Sequence, residues 1–139
     1  MQKKRYTKGE ISTITEQIFS LLPKMSILCF IGVMGSGKTT LIKEMVKHLG
    51  GLEEGNSPSF GIVNEYTYPD GELLGYHFDF YRIENTEEAL DLGLEDYLNK
   101  DVWIFIEWPE KIEPLLPEER TNIKLEILGP ETRQLTILP

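Results

Sequence analysis

The sequence predicts an α/β fold, a three-layer sandwich around a mixed sheet with parallel central strands and an antiparallel hairpin. Three observations carry that expectation. Ser26 to Ile31 and Val102 to Ile106 are short, continuous apolar runs of the kind a strand buried on both faces requires. Between Lys38 and Leu49 the apolar residues Leu41, Ile42, Met45, Val46 and Leu49 fall on one helical face, directly after a glycine-rich stretch. Phe60 to Tyr68 and Glu72 to Tyr81, rich in aromatic and β-branched residues, flank Pro69-Asp70-Gly71, a turn sequence that joins them as a hairpin.

The remaining elements follow in chain order. Ile14, Ile18, Leu21 and Leu22 give Ser12 to Leu22 a helical spacing, and Pro23 is expected to end it. Gly50-Gly51 stops the helix that begins at Lys38. Thr86 to Leu92 reads as a short helix capped by Thr86 with Glu87 and Glu88 in its first turn, and Leu94 to Leu98 as another. The run ending at Ile106 delivers Glu107 at its C-terminal end. Thr121 to Leu128 and Thr132 to Leu138 are two further strands around Gly129-Pro130.

A length of 139 residues is expected to form a single domain over 1–139, large enough to fold without a disulfide, which the lone Cys29 excludes in any case. The apolar runs are far shorter than the ~20 residues of a membrane span, and the charged N-terminus is not followed by the apolar core of a secretory signal. A cytoplasmic protein is expected. Residues 1 to 47 hold eight basic and three acidic groups, net +5, and the rest holds six basic and twenty acidic groups, net -14. So acidic a surface repels a phosphate backbone, so strong direct binding of nucleic acid is not expected. A local basic cluster can still hold a small anion.

Such a cluster exists. Gly32-Val33-Met34-Gly35-Ser36-Gly37-Lys38-Thr39 fits G-x-x-x-x-G-K-[ST], placed between an expected strand and an expected helix. Gly35 and Gly37 let the backbone curl so that N–H groups, that of Ser36 included, face a phosphate. The helix N-terminus favours the anion, Lys38 reaches the β- and γ-phosphates, the Thr39 hydroxyl ligates Mg²⁺, and Thr40 adds a hydroxyl near the α-phosphate. A nucleoside triphosphate with Mg²⁺ is the expected ligand. The absence of an Asn-Lys-x-Asp guanine motif favours ATP.

The metal also needs a carboxylate at a strand's C-terminal end. Glu107 is one candidate, in the context of a Walker B acid. Asp79 is the other, as a metal-linked or catalytic group or as a structural partner of Arg82 or of a backbone donor. Alternation in Tyr76 to Arg82 puts His77, Asp79 and Tyr81 on one face. His77 is either a hydrogen-bonded structural histidine or a ligand or base. Trp108 either caps the core or shields the nucleotide. Arg82 either stabilises a transferred phosphoryl group or makes an ordinary ion pair. His48 reads as solvated, and Ser57-Pro58-Ser59-Phe60 as a plain loop or a segment that orders around the γ-phosphate.

Together, Gly32 to Thr40, Ser57 to Phe60, His77-Phe78-Asp79-Phe80-Tyr81-Arg82, Asp91-Leu92-Gly93-Leu94 and Ile106-Glu107-Trp108 closely resemble, in order, the bacterial TsaE (YjeE) family of P-loop ATPases. The resemblance implies an ATPase, weak without partners, that serves, with the TsaB and TsaD proteins, the formation of threonylcarbamoyladenosine in tRNA. It implies that Lys38 and Thr39 are the phosphate and Mg²⁺ residues, Glu107 the metal ligand and Asp79 a further catalytic carboxylate. Trp108 would lie near the nucleotide. The family's loop usually reads Gly-Asp-Leu-Gly-Ala-Gly-Lys-Thr, and here Val33 replaces the Asp. Two other functions fit the loop alone. One is a small-molecule kinase, although four scattered arginines and no evident second substrate pocket speak against it. The other is a nucleotide-dependent binding module with negligible turnover.

Overall fold

The structure, a computed structural model, describes residues 2–22, 25–52, 55–59 and 61–138, with the side chains of 56–59 outside that description. Eight strands form one sheet in the order β1-β8-β7-β2-β6-β5-β4-β3: β1 Gln2–Thr7, β2 Ile27–Ile31, β3 Asn56–Ser59, β4 Val63–Thr67, β5 Leu73–Asp79, β6 Trp103–Glu107, β7 Thr121–Ile127 and β8 Thr132–Leu138. The four central strands, β7, β2, β6 and β5, are mutually parallel. The β4–β5 hairpin and the outer β8 and β1 are antiparallel. The helices are α1 Ile11–Leu21, α2 Lys38–His48, α3 Thr86–Asp91 and α4 Leu94–Leu98.

Alternation along the central strands divides the core between the two faces of the sheet. Leu28, Phe30, Trp103 and Phe105 pack with Ile14 and Ile18 of α1 and with Leu41, Ile42, Met45 and Val46 of α2. Cys29, Ile104, Ile106, Tyr76 and Phe78 pack with Ala89 and Leu94 of the short helices and with Ile112 of the 3-10 segment Pro109–Leu115. The result is the three-layer sandwich expected. Burial pushes the Cys29 thiol up to about 12, with Arg120 opposing and Glu113 and Glu110 reinforcing, so it is a packing group.

Several boundaries move. Helix α1 ends at Leu21, and Pro23, expected to end it, lies outside the described residues, as does Phe60. The α3 cap is Asn85, one residue before the expected Thr86: its side chain accepts from the Glu88 N–H at 3.2 Å while Glu88 accepts the Asn85 N–H. Strands β1 and β3 and the 3-10 segment Pro109–Leu115 have no counterpart in the expectations. The hairpin turn forms as expected, Tyr68 N–H donating to Glu72 O at 2.8 Å and Gly71 adopting φ 90°.

Strand β5 pairs with β6 so closely at Gly75 that a Cβ there would collide with the Trp103 carbonyl. Gly75→Ala is therefore expected to cost about 2 kcal/mol of stability. Urea unfolding checks this as a lower midpoint at unchanged slope.

Candidate nucleotide site

The parallel strands converge with their C-terminal ends on one edge, where open α/β sheets bind ligands. Strand β2 ends at Ile31, the loop from Gly32 follows, and α2 begins at Lys38. Gly35 (φ 80°) and Gly37 (φ 98°) take the left-handed conformation that side chains resist. Gly32 has no room for a Cβ, which would sit 2.6 Å from Ser36 Oγ and 2.8 Å from Leu125 O. The Ser36 N–H bonds to Val33 O at 3.1 Å. No acceptor among the described residues takes the N–H groups of Gly35, Gly37, Lys38 or Thr39, and Ser36 Oγ is buried there without a partner. Among the described residues these N–H donors, leading into a helix N-terminus, form an anion cradle.

The side chains of the cleft follow from strand register. Asp79 and Glu107 are neighbours across β5 and β6, and His77 lies opposite Phe105. Since Phe105 faces α2, so do His77, Asp79 and Glu107. Glu107 is buried, 3% exposed. The Thr39 hydroxyl donates to it, 3.0 and 2.9 Å from its two oxygens. His77 Nε2 donates to Oε2 at 2.7 Å, and its buried Nδ1 has no partner among the described residues. Burial would raise the Glu107 pKa, but the hydrogen bond and charge of His77, then Thr39 and Lys38, hold it below the ordinary value. It is ionised at neutral pH.

Lys38 is buried beside it. Its ammonium donates to Gly32 O at 2.6 Å and lies 3.5 Å from the centre of the Trp108 ring. Desolvation lowers its pKa, against the opposing charges of Glu107, Glu110 and Asp79. Trp108 reaches this position through a left-handed backbone, φ 59°, rare for a residue with a side chain. Its ring also packs on Tyr81 at 5.0 Å. A cleft of about 240 Å³ is lined by Met34, Gly35, Gly37, Lys38, Thr39, Thr40, Asp79, Tyr81, Glu107 and Trp108. Thus the loop, Asp79, Glu107 and Trp108 meet at one place. A cavity of about 500 Å³ sits at the opposite ends of the same strands, at Ile27, Val102 and Thr121, remote from this chemistry.

Other residues fall differently. Asp79 Oδ1 accepts the Tyr81 N–H at 3.1 Å, and among the described residues it makes no ion pair with Arg82. His48, expected to be solvated, is exposed but stacks on Phe19 at 5.0 Å. Strand β3 includes Ser57 to Ser59, where a loop was expected. Sequence reasoning missed two contributors to the loop's surroundings. Tyr6 and Lys8, from the first strand and the turn after it, line a recess of about 270 Å³ with Ile11, Gly37, Thr40 and Arg133. Arg133 itself bonds to loop carbonyls. A second recess, of about 420 Å³, shares Met34, Asp79 and Tyr81 with the cleft and adds Gly61, Ile62 and Arg82.

Comparison with known proteins adds what geometry alone does not. The family model described as threonylcarbamoyl adenosine biosynthesis protein TsaE matches residues 6–135. A Bacillus subtilis (strain 168) protein named tRNA threonylcarbamoyladenosine biosynthesis protein TsaE is 40% identical over 110 residues, 79% of this chain and 67% of that one. A Haemophilus influenzae protein of the same name is 38% identical over 112 residues, 80% of this chain and 70% of its own. The crystal structure of Bacillus subtilis YdiB superposes with a TM-score of 0.73 at 30% identity, covering 98% of this chain and 83% of that one.

Proposed function

Since the chain belongs to the TsaE family, we propose that it is the Mg²⁺-dependent, ATP-binding and ATP-hydrolysing subunit of tRNA threonylcarbamoyladenosine formation, cycling with the TsaB and TsaD proteins. The observation that carries the ATP reading is the cradle of loop N–H groups, without an acceptor among the described residues, beside the buried Lys38. The residues fit the ion as well. Thr39 and Glu107 offer a hydroxyl and an ionised carboxylate, the hard oxygen donors Mg²⁺ prefers. Among the described residues no three His, Cys, Asp or Glu side chains cluster for a metal. Two protein ligands completed by substrate phosphates is the usual Mg²⁺ arrangement at such sites. When bound, the ion would neutralise charge on the phosphates.

The chain's own groups then divide the work. The loop N–H groups bind the phosphates, and Lys38 exchanges its bond to Gly32 O for phosphate oxygens. His77 holds Glu107 in orientation, and Asp79, its neighbour across the two strands, would orient the attacking water. The recess at Tyr6, Lys8 and Ile11, which shares Gly37 and Thr40 with the loop, would take the nucleoside. No described arginine enters the cleft: Arg133 is engaged by backbone carbonyls and Arg82 lines the neighbouring recess. Slow turnover by the chain alone follows, with a partner supplying the missing cation.

That neighbouring recess favours a second reading, a small-molecule kinase with the acceptor beside Asp79 and Arg82. Product analysis separates the two. Free phosphate as the product of Mg·ATP turnover supports hydrolysis; a phosphorylated small molecule formed faster than free phosphate overturns it. The strongly acidic remainder of the chain suits docking on a protein better than on RNA.

A further inference from the structure

Arg133, at the start of β8, stands 97 residues from the loop in sequence, and all its partners are backbone carbonyls. Its Nη1 donates to Gly129 O at 2.9 Å and Thr132 O at 3.1 Å, which anchors the guanidinium at the β7–β8 turn. Its Nε donates to Ser36 O at 3.1 Å, and Nη2 lies 3.5 Å from Gly35 O. Among the described residues no carboxylate pairs with it. A trans peptide is planar, with its C=O and N–H pointing in opposite directions. Whatever holds the Ser36 carbonyl on the outside of the loop therefore turns the Gly37 N–H inward. That peptide turns on ψ of Ser36 and φ of Gly37, so the glycine at 37 makes its rotation cheap, and a rotated peptide would present a carbonyl to the anion.

We propose that Arg133 is a positioning residue for phosphate binding, clamping the outward carbonyl of Ser36 so that the Gly37 N–H faces the phosphate. This rests on the ATP-site reading above. The full chain titrated with ATP and with tripolyphosphate, which lacks a base, tests both. Arg133→Gln is expected to weaken both ligands about tenfold. Arg133→Lys, which keeps the charge but reaches a single carbonyl, weakens both by less. In the wild type the Gly37 amide proton moves downfield on saturation with tripolyphosphate, and in Arg133→Gln that movement shrinks while the β7 and β8 resonances hold. Wild-type affinity for tripolyphosphate in either folded variant overturns the clamp. So does loss of ATP affinity alone, which would make Arg133 only a wall of the nucleoside recess. If Arg133→Gln does not fold, Arg133→Lys decides. If the wild type binds neither ligand, the ATP-site reading fails and the clamp falls with it.

Discussion

Glu107→Gln is expected to lower ATP hydrolysis by at least about 100-fold, the scale on which removal of one preorganised charge-stabilising group acts. Glutamine keeps the size of the side chain and an oxygen for the Thr39 hydroxyl and His77 Nε2. What it loses is the negative charge that would hold the metal. Metal-free ATP should bind as tightly as before, or more tightly, because a carboxylate facing the phosphates is gone. Phosphate release with saturating Mg·ATP and titration with ATP in chelator check the two halves. Unchanged hydrolysis would show that Glu107 is not the metal ligand.

Lys38→Ala strikes binding instead. A buried ammonium bonded to phosphate oxygens contributes about 1.5–3 kcal/mol, so ATP affinity should fall roughly 10- to 100-fold. The ligand-free protein should change little in melting temperature. Desolvation already disfavours the charged Lys38, and that cost disappears together with its bond to Gly32 O and its contact with Trp108. A large loss of affinity at nearly constant stability marks a ligand group. A collapse of stability would mark a structural one.

What could be read from the sequence was what packing makes explicit. Strands β2 and β6 are buried on both faces, so their residues form continuous apolar runs, and the loop between β2 and α2 carries its chemistry in its residue types. Strand β1 was missed because it is an edge strand whose only buried side chain is Tyr6; five charged or polar neighbours conceal it. Strand β3 contains Pro58, which a central strand does not tolerate. Alternation placed His77 and Asp79 on a common face. The register that brings His77 Nε2 to Glu107 depends on how β5 meets β6, which local pattern does not encode. Arg133 left no signal at all, because its acceptors are carbonyls that every residue possesses.

In the proposed function the partner proteins are the decisive variable, since no described arginine lines the cleft. The rate of ATP hydrolysis should therefore be measured for this chain alone, with the TsaB and TsaD pair, and with that pair plus tRNA. The expected result is slow phosphate release by the chain alone, faster release with the pair, and no such increase when Glu107→Gln replaces the native chain. A rate that the pair leaves unchanged, with or without tRNA, would contradict the proposed role.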